Sequence, residues 1–259
     1  MKILLTGARG MVGSNITEHQ SISKYEILLP TSKELNLLDN VSVQSYVDKN
    51  KPDMIIHAAG IVGGIQANMM HPVKFLVDNM YMGINILMAS KNFGVKKFIN
   101  LSSSCMYPRD AKNPLSEDFI LQGELEHTNE GYAIAKVAST KLCEYINRED
   151  ESYLYKTVIP CNLYGKYDKF DYENSHMIPA VIRKINNAKN NNLESIDIWG
   201  DGLARREFMY AADFADFVYY AIDNFESMPQ NINVGLGHDY TVNKYYQEIA
   251  KVIGYQGGF

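Results

Sequence analysis

The stretch Lys2-Ile3-Leu4-Leu5-Thr6-Gly7-Ala8-Arg9-Gly10-Met11-Val12-Gly13 decides the fold. Its apolar run before the first glycine reads as a short buried strand, and the periodicity over 11–20 reads as a helix. Glycines between a strand and a helix permit a tight turn, close approach of backbone to a pyrophosphate, and close packing of helix on strand. The helix N-terminus adds unpaired N–H groups and the positive end of a dipole, which attract phosphate. Gly7, Arg9, Gly10, Met11, Val12 and Gly13 are therefore read as a dinucleotide-binding turn.

Outward from that turn, two kinds of segment alternate. β-prone runs over 25–29, 53–57, 97–101 and 157–160 are separated by helical patterns over 41–49, 67–93 and 132–148. Such repetition implies a parallel sheet covered on both faces, and right-handed crossovers make it an α/β, Rossmann-like doubly wound parallel sheet. After Pro160 the rhythm changes. An irregular aromatic stretch leads to a helix through Lys189, a short strand over 195–199, a segment 206–210, a helix 212–224, a strand 231–234 and a helix 242–253. The expected division is a Rossmann domain over 1–160 and a smaller, mainly substrate-binding domain over 161–259. Segments around 206–234 are expected to return to the sheet.

Composition sets the outer bounds. The 259 residues, 46% hydrophobic and 21% charged, bury a full core without staples. Cys105, Cys143 and Cys161 lie far apart without a CxxC pair, which argues against a disulfide framework and a structural zinc site. A net charge of −5 lacks the basic excess of a nucleic-acid binder. No apolar run has the length of a signal-peptide core or a membrane span, so a soluble, cytoplasmic protein is expected.

The end of the second strand discriminates between nicotinamide cofactors, because an acidic residue there binds the adenosine ribose hydroxyls. Here the segment is Pro30-Thr31-Ser32-Lys33. With Arg9, Ser32 and Lys33 at hand and no carboxylate in that segment to repel a 2′-phosphate, NADP(H) is favoured over NAD. Asp39 either accepts from the adenine amine or caps the next helix. His57 either lines the cofactor pocket or ends the third strand.

Tyr132 and Lys136 stand four residues apart, on one face of a helix. An ammonium near a phenol lowers the phenol pKa, which suits Tyr132 to proton exchange with a substrate oxygen. Ser102-Ser103-Ser104-Cys105 follows the strand 97–101, at the carboxyl end where such sheets bind ligands.

Taken together these motifs resemble the extended short-chain dehydrogenase/reductases and, within them, the GDP-L-fucose synthase family. The resemblance runs almost end to end, through Gly7 to Ser14, Glu34 to Asp39, Val62-Gly63-Gly64-Ile65, Ser103 to Pro108 and Leu121-Gln122-Gly123. It continues through Tyr132 to Lys136, Asn162-Leu163-Tyr164-Gly165, Asn174 to Ala180, Trp199-Gly200 and Arg206-Glu207-Phe208. It implies an NADPH-dependent enzyme that epimerises a GDP-4-keto-hexose at C3 and C5 and reduces it at C4. Ser103, Tyr132 and Lys136 become the reductase triad, and Cys105 and His176 the acid/base pair, whose groups titrate near neutrality when tuned. His176 also counts among the cofactor contacts. Cys143 and Cys161 are read as core residues.

Asn162, Lys184, Trp199 and Arg206 become contacts for the GDP-sugar. Lys184 stands where the family often has Arg, which gives up bidentate geometry. Trp199, the only tryptophan, lies near the nucleotide or anchors a strand. The resemblance further implies a homodimer through the helices near 68–92 and 132–148. It also implies a chain continuing several tens of residues past Phe259, to complete the wall over the GDP-sugar. Two rival readings remain open: a C4 reductase of another GDP-4-keto sugar, such as a heptose, with weak or no epimerisation, and a catalytically silent binding subunit.

Overall fold

The structure, a computed structural model, describes residues 1–172 and 175–259. Asn174 of the motif above therefore lies outside the described residues. Six parallel strands form the central sheet: β1 (Lys2–Thr6), β2 (Glu26–Leu28), β3 (Met54–His57), β4 (Lys97–Leu101), β5 (Leu154–Pro160) and β9 (Asn231–Val234). Their spatial order is β2-β1-β3-β4-β5-β9. The chain leaves β1 toward one edge and returns on the other side of it as β3, so a crevice opens at the carboxyl ends of these two strands.

Ile3, Leu4, Leu5, Met54, Ile55, Ile56, Phe98 and Ile99 are all buried, which explains why these strands are continuous apolar runs. On one face, α1 (Met11–Glu18) and α7 (Ala211–Asp223) share a core in which Ile16 meets Phe214, Val218 and Tyr219. On the other, α2 (Asn40–Asn50), α4 (Pro72–Asn92) and α5 (Glu130–Glu149) cover Leu4, Ile55 and Phe98. Helices α4 and α5 cross closely because Gly83 has no side chain; a Cβ there would strike the Ser139 hydroxyl.

Two expectations need correction. The helix expected over 67–93 is broken into α3 (Ile65–Met70) and α4, with Pro72 as the first residue of the second helix. Proline lacks an N–H and its ring collides with the carbonyl four residues back, so a continuous helix cannot pass through it. The strand expected over 195–199 is reduced to a bridge between Ser195 and Gly258. No neighbouring strand runs beside it among the described residues, and Trp199 is 77% exposed, so it anchors nothing.

Beyond β5, β6 (Asn162–Tyr164) pairs in parallel with β8 (Phe208–Tyr210), while β7 (Arg205–Arg206) pairs with β10 (Tyr240–Thr241). Helices α6 (Met177–Asn190) and α8 (Val242–Ile253) build a separate small core of Val181, Ile185, Ile196, Tyr246, Ala250 and Tyr255. Among the described residues, no helix is long and apolar enough to cross a membrane.

Candidate active site

The glycine turn is formed as its sequence requires. Gly7 has φ 71°, and a Cβ there would come within 2.6 Å of the Ala59 amide nitrogen after β3. At Gly13 a Cβ would fall 2.6 Å from the Cα of Ala8. Gly10 differs: a Cβ there would meet only the Gly7 carbonyl oxygen, at 3.4 Å. The protein thus has steric reasons for Gly7 and Gly13, whereas a glycine at 10 keeps a path open to an outside group. Gly10 is the N-cap of α1 and supplies no side-chain cap, and the helix's own ladder begins with Ser14 donating to the Gly10 carbonyl at 2.8 Å. The N–H groups of Met11, Val12 and Gly13 face that path, so the turn fits a dinucleotide pyrophosphate.

Thr6 and His57 tie the two strand ends at the crevice, Thr6 Oγ1 lying 2.8 Å from His57 Nδ1, and the Ala59 amide donates to the same hydroxyl at 3.4 Å. Burial, aided by the Lys136 charge, pushes His57 down to about 3, so it is a neutral strut. Arg9 in the glycine turn, and Ser32 and Lys33 after β2, are exposed. Glu34 lies beside them and folds back, its carboxylate accepting from the Thr31 amide at 2.8 Å. That bond holds its carboxyl below the usual range, with a smaller contribution from Arg9. Asp39 caps α2, accepting from the Val41 amide at 3.0 Å.

At the carboxyl end of β4, Ser103 caps a short turn over Ser104–Met106, and its Oγ accepts from the Cys105 amide at 3.4 Å. Ser102 is buried beneath, within 2.9 Å of the Met106 sulfur, whereas Ser103 and Ser104 are partly exposed. Helix α5 carries Tyr132 and Lys136 across from this turn. Lys136 is 8% exposed; its Nζ donates to the Leu101 carbonyl at 2.9 Å and lies 5.7 Å from the centre of the Tyr132 ring. A Cβ on Gly60, just past β3, would stand 3.8 Å from the same Nζ. Ser103, Cys105, Tyr132 and Lys136 are thus brought together between the ends of β3 and β4.

The electrostatics depart from two expectations. Burial pushes the Tyr132 phenol up, with Cys105 adding to the rise, rather than the ammonium pulling it down. The ammonium is spent on a backbone carbonyl, and its own pKa is lowered by burial to about 8. Burial likewise pushes the Cys105 thiol up to about 11, against smaller pulls from Ser103 and Lys136, so it rests as a thiol at neutral pH. Cys161 and Cys143 are also raised by burial, Cys161 to about 12.

His176 is the N-cap of α6 and half-buried. Burial holds its imidazole below the ordinary value, while the Asp168 carboxylate pulls the other way. The loop that carries Asp168 is pinned to the glycine-turn helix: Lys166 Nζ donates to both Glu18 oxygens at 2.9 and 2.8 Å, and Asn15 Nδ2 donates to the Lys166 carbonyl at 3.1 Å. Gly64 presses on the other side, where a Cβ would meet the Ser175 carbonyl oxygen at 2.9 Å. Ser175, the residue before His176, thereby packs against the loop after β3.

Sequence reasoning missed Asn79, which grips that loop by accepting from the Ile61 amide at 2.9 Å and donating to the Ile61 carbonyl at 3.1 Å. It missed Asp168 too. Neither stands in a recognisable spacing, since each acts through backbone or side chains brought in by the fold.

The residues expected to meet a GDP-sugar form two groups. Asn162 Nδ2 donates to the Glu207 carbonyl at 2.9 Å, next to exposed Arg206, whose Nη1 donates to the Arg205 carbonyl at 2.7 Å. Lys184 donates to the Asp197 carbonyl, two residues before exposed Trp199.

The sequence pattern of the NAD dependent epimerase/dehydratase family matches residues 3–235. The chain is 63% identical over 259 residues to a GDP-L-colitose synthase of Yersinia pseudotuberculosis, covering 100% of this chain and 84% of that one. It is 49% identical over 258 residues to a GDP-L-fucose synthase of Azorhizobium caulinodans, covering 100% of this chain and 82% of that one. Among solved structures, a GDP-D-glycero-L-gluco-heptose synthase from Campylobacter jejuni, determined in the presence of NADPH, superposes with a TM-score of 0.91 at 28% identity. That match covers 99% of this chain and 86% of the other.

Proposed function

This chain belongs to the NAD dependent epimerase/dehydratase family, and we propose that it is an NADPH-dependent epimerase–reductase of a GDP-4-keto-6-deoxy-hexose. The observation that carries this reading is the convergence of a hydroxyl, a thiol, a phenol and an ammonium, from Ser103, Cys105, Tyr132 and Lys136, beside the glycine turn. When bound, NADPH supplies hydride to C4 of the sugar. Tyr132 Oη delivers the proton to the resulting alkoxide, and Lys136 positions the phenol and the cofactor ribose. The Ser103 hydroxyl and Tyr132 donate to the C4 oxygen, which stabilises the enolate formed when an adjacent carbon loses its proton. Cys105 and His176 remove that proton and return one to the opposite face. Asn162, Lys184, Trp199 and Arg206 make the GDP-sugar wall, with Arg206 and Lys184 offered to the diphosphate once it competes for their carbonyl partners.

Greater identity to a GDP-L-colitose synthase than to a GDP-L-fucose synthase favours a second substrate form, the 3-deoxy ketohexose. In that case only C5 is inverted, because a 3-deoxy carbon has no configuration to change. The heptose synthase likeness, at 28% identity, supports reduction at C4 without choosing the sugar.

The experiment is turnover in D2O with NADPH and either GDP-4-keto-6-deoxymannose or its 3-deoxy counterpart, with products read by NMR. Cofactor oxidation with deuterium at C5 is expected. Oxidation without inversion would leave a plain C4 reductase, and no oxidation with either sugar would sink the reading in favour of a binding subunit. Exposed apolar residues at helical spacing on α4, Val73, Val77, Tyr81 and Ile84, with Ile134 and Tyr145 on α5, support a homodimer through these helices. Sedimentation velocity tests it.

A further inference from the structure

We infer that Glu207 is a positioning residue for the nucleotide diphosphate: it ties the segment that carries Arg206 to the end of β9 and so fixes that guanidinium relative to the reaction centre. This rests on the proposed GDP-sugar substrate.

Glu207 alone separates β7 from β8, and side chains alternate along an extended run, so Arg205 and Glu207 lean to one side and Arg206 to the other. Both flanking residues grip the same loop, 235–239, which runs from β9 to β10. Arg205 Nε donates to Asp239 Oδ1 at 2.7 Å, and its Nη2 donates to the Asp239 carbonyl at 2.8 Å. Glu207 Oε1 accepts from the amides of Leu236 at 2.5 Å and Gly237 at 2.8 Å, and a Cβ on Gly235 would strike the same carboxylate. From α8, Tyr245 Oη donates to the Arg206 carbonyl at 2.9 Å. The backbone at Arg206 is thus held from three directions. Its guanidinium is exposed and, among the described residues, bonds only to the Arg205 carbonyl, at 2.7 Å.

The grip of Glu207 is the one that reaches the central sheet. Leu236 follows β9 by two residues, and on β9 Asn233 Oδ1 accepts from Tyr107 Oη at 2.5 Å. Tyr107 directly follows the turn that Ser103 caps and that carries Cys105. A chain of bonded groups therefore runs from the reaction turn through β9 and Glu207 to Arg206. Because Glu207 Oε1 is occupied by two amides, the carboxylate acts through Arg206. An exposed guanidinium without a carboxylate partner suits a diphosphate, and a backbone fixed beforehand lowers the ordering cost of binding it.

The test is calorimetric titration of NADPH onto the protein, and of GDP onto the NADPH-loaded protein, in wild type, Glu207→Ala, Glu207→Gln, Arg206→Ala and the Arg206→Ala, Glu207→Ala double variant. Glu207→Ala is expected to weaken GDP about fivefold to tenfold and to leave NADPH affinity unchanged. Glu207→Gln keeps the accepting oxygen, so its GDP affinity should stay within about twofold of wild type. With Arg206 already replaced by alanine, Glu207→Ala should weaken GDP by no more than about twofold further, because nothing is left to position. The inference is overturned by equal losses in both backgrounds, by joint weakening of NADPH, by unchanged GDP affinity in Glu207→Ala, or by a glutamine variant as weak as the alanine one. If Glu207→Ala misfolds, Glu207→Asp carries the test, since it keeps the charge on an arm too short to hold both amides. A wild type that binds GDP without oxidising NADPH sinks the proposed reaction alone; one that does not bind GDP sinks both.

Discussion

The ammonium of Lys136 donates to the carbonyl of Leu101 at 2.9 Å, which ties helix α5 to the last residue of β4 just before the turn that carries Ser103 and Cys105. That bond, together with Thr140 Oγ1 at 3.5 Å from Ser102 Oγ and 3.4 Å from the Met106 sulfur, holds the two halves of the reaction centre together. Lys136→Met is expected to leave that carbonyl unpaired and to lower NADPH oxidation by about a hundredfold or more, with retained fold by circular dichroism.

The same substitution has a pH signature. Burial lowers Lys136 to about 8 in the folded protein, from an unfolded value near 10.5. Between those values the unfolded chain binds more protons, so this group raises stability as pH rises through that window. Buried Tyr132 and Cys105, both raised, act in the opposite sense at high pH. The informative quantity is thus a difference: the melting temperature of wild type minus that of Lys136→Met should increase from pH 8 to pH 10. A flat difference would mean that Lys136 is not desolvated in solution.

Glycines 10 and 13 separate cofactor binding from folding. Gly13→Ala forces a Cβ to 2.6 Å from the Cα of Ala8, which is backbone and cannot yield, so a strongly destabilised protein is expected. Gly10→Ala meets only ordinary contact at 3.4 Å, and its effect on stability should be about 1 kcal/mol or less. Its methyl group obstructs the approach to the first turn of α1, so NADPH affinity should fall about tenfold or more. Calorimetric unfolding and fluorescence titration of NADPH distinguish the two variants; equal losses of stability would remove the distinction.

Much of this arrangement was legible in the chain. Strands β1, β3 and β4 announce themselves as buried apolar runs, and Tyr132 and Lys136 by a spacing that any helix places on one face. What was not legible depends on partners remote in sequence. The carbonyl that engages Lys136 lies 35 positions away, and the expected lowering of the Tyr132 pKa does not occur because the fold buries the phenol, which pushes it up. The segment 195–199 has β-prone residues, but a strand needs a neighbour, and sequence alone does not supply one. Pro72 did carry a local signal for a helix break, which the apolar periodicity on either side of it masked.

Cofactor choice should respond to the exposed cluster at the adenosine end. Lys33→Glu and Arg9→Glu each place a carboxylate where a 2′-phosphate is expected, next to Glu34, which already folds back onto Thr31 at 2.8 Å. The ratio of kcat/KM for NADPH to that for NADH should fall about tenfold or more in each variant. Lowering the salt concentration should widen the difference, since these charges are solvent-exposed. A ratio unchanged by both substitutions would mean that the 2′-phosphate lies elsewhere.

Cys105 offers the sharpest separation of epimerisation from reduction. Its thiol is pushed up to about 11 by burial, with Ser103 and Lys136 pulling it partly back. At pH 7 only about one molecule in ten thousand then carries the thiolate. If the thiolate removes the proton, wash-in of solvent deuterium should climb about tenfold per pH unit from pH 7 until another step limits it. Cys105→Ser lacks that ionisation, so its wash-in should be slower by about a hundredfold or more and should lose the steep rise. Reduction of a ketone already in the product configuration should continue in this variant, because Ser103, Tyr132 and Lys136 are untouched. Tyr132→Phe should lose hydride transfer while NADPH still binds, and should slow wash-in without abolishing it, because Ser103 still donates to the enolate oxygen. A wash-in rate that falls as pH rises would contradict the thiolate as base. Exchange that survives Cys105→Ser at full rate would place the base on His176, the other member of the pair.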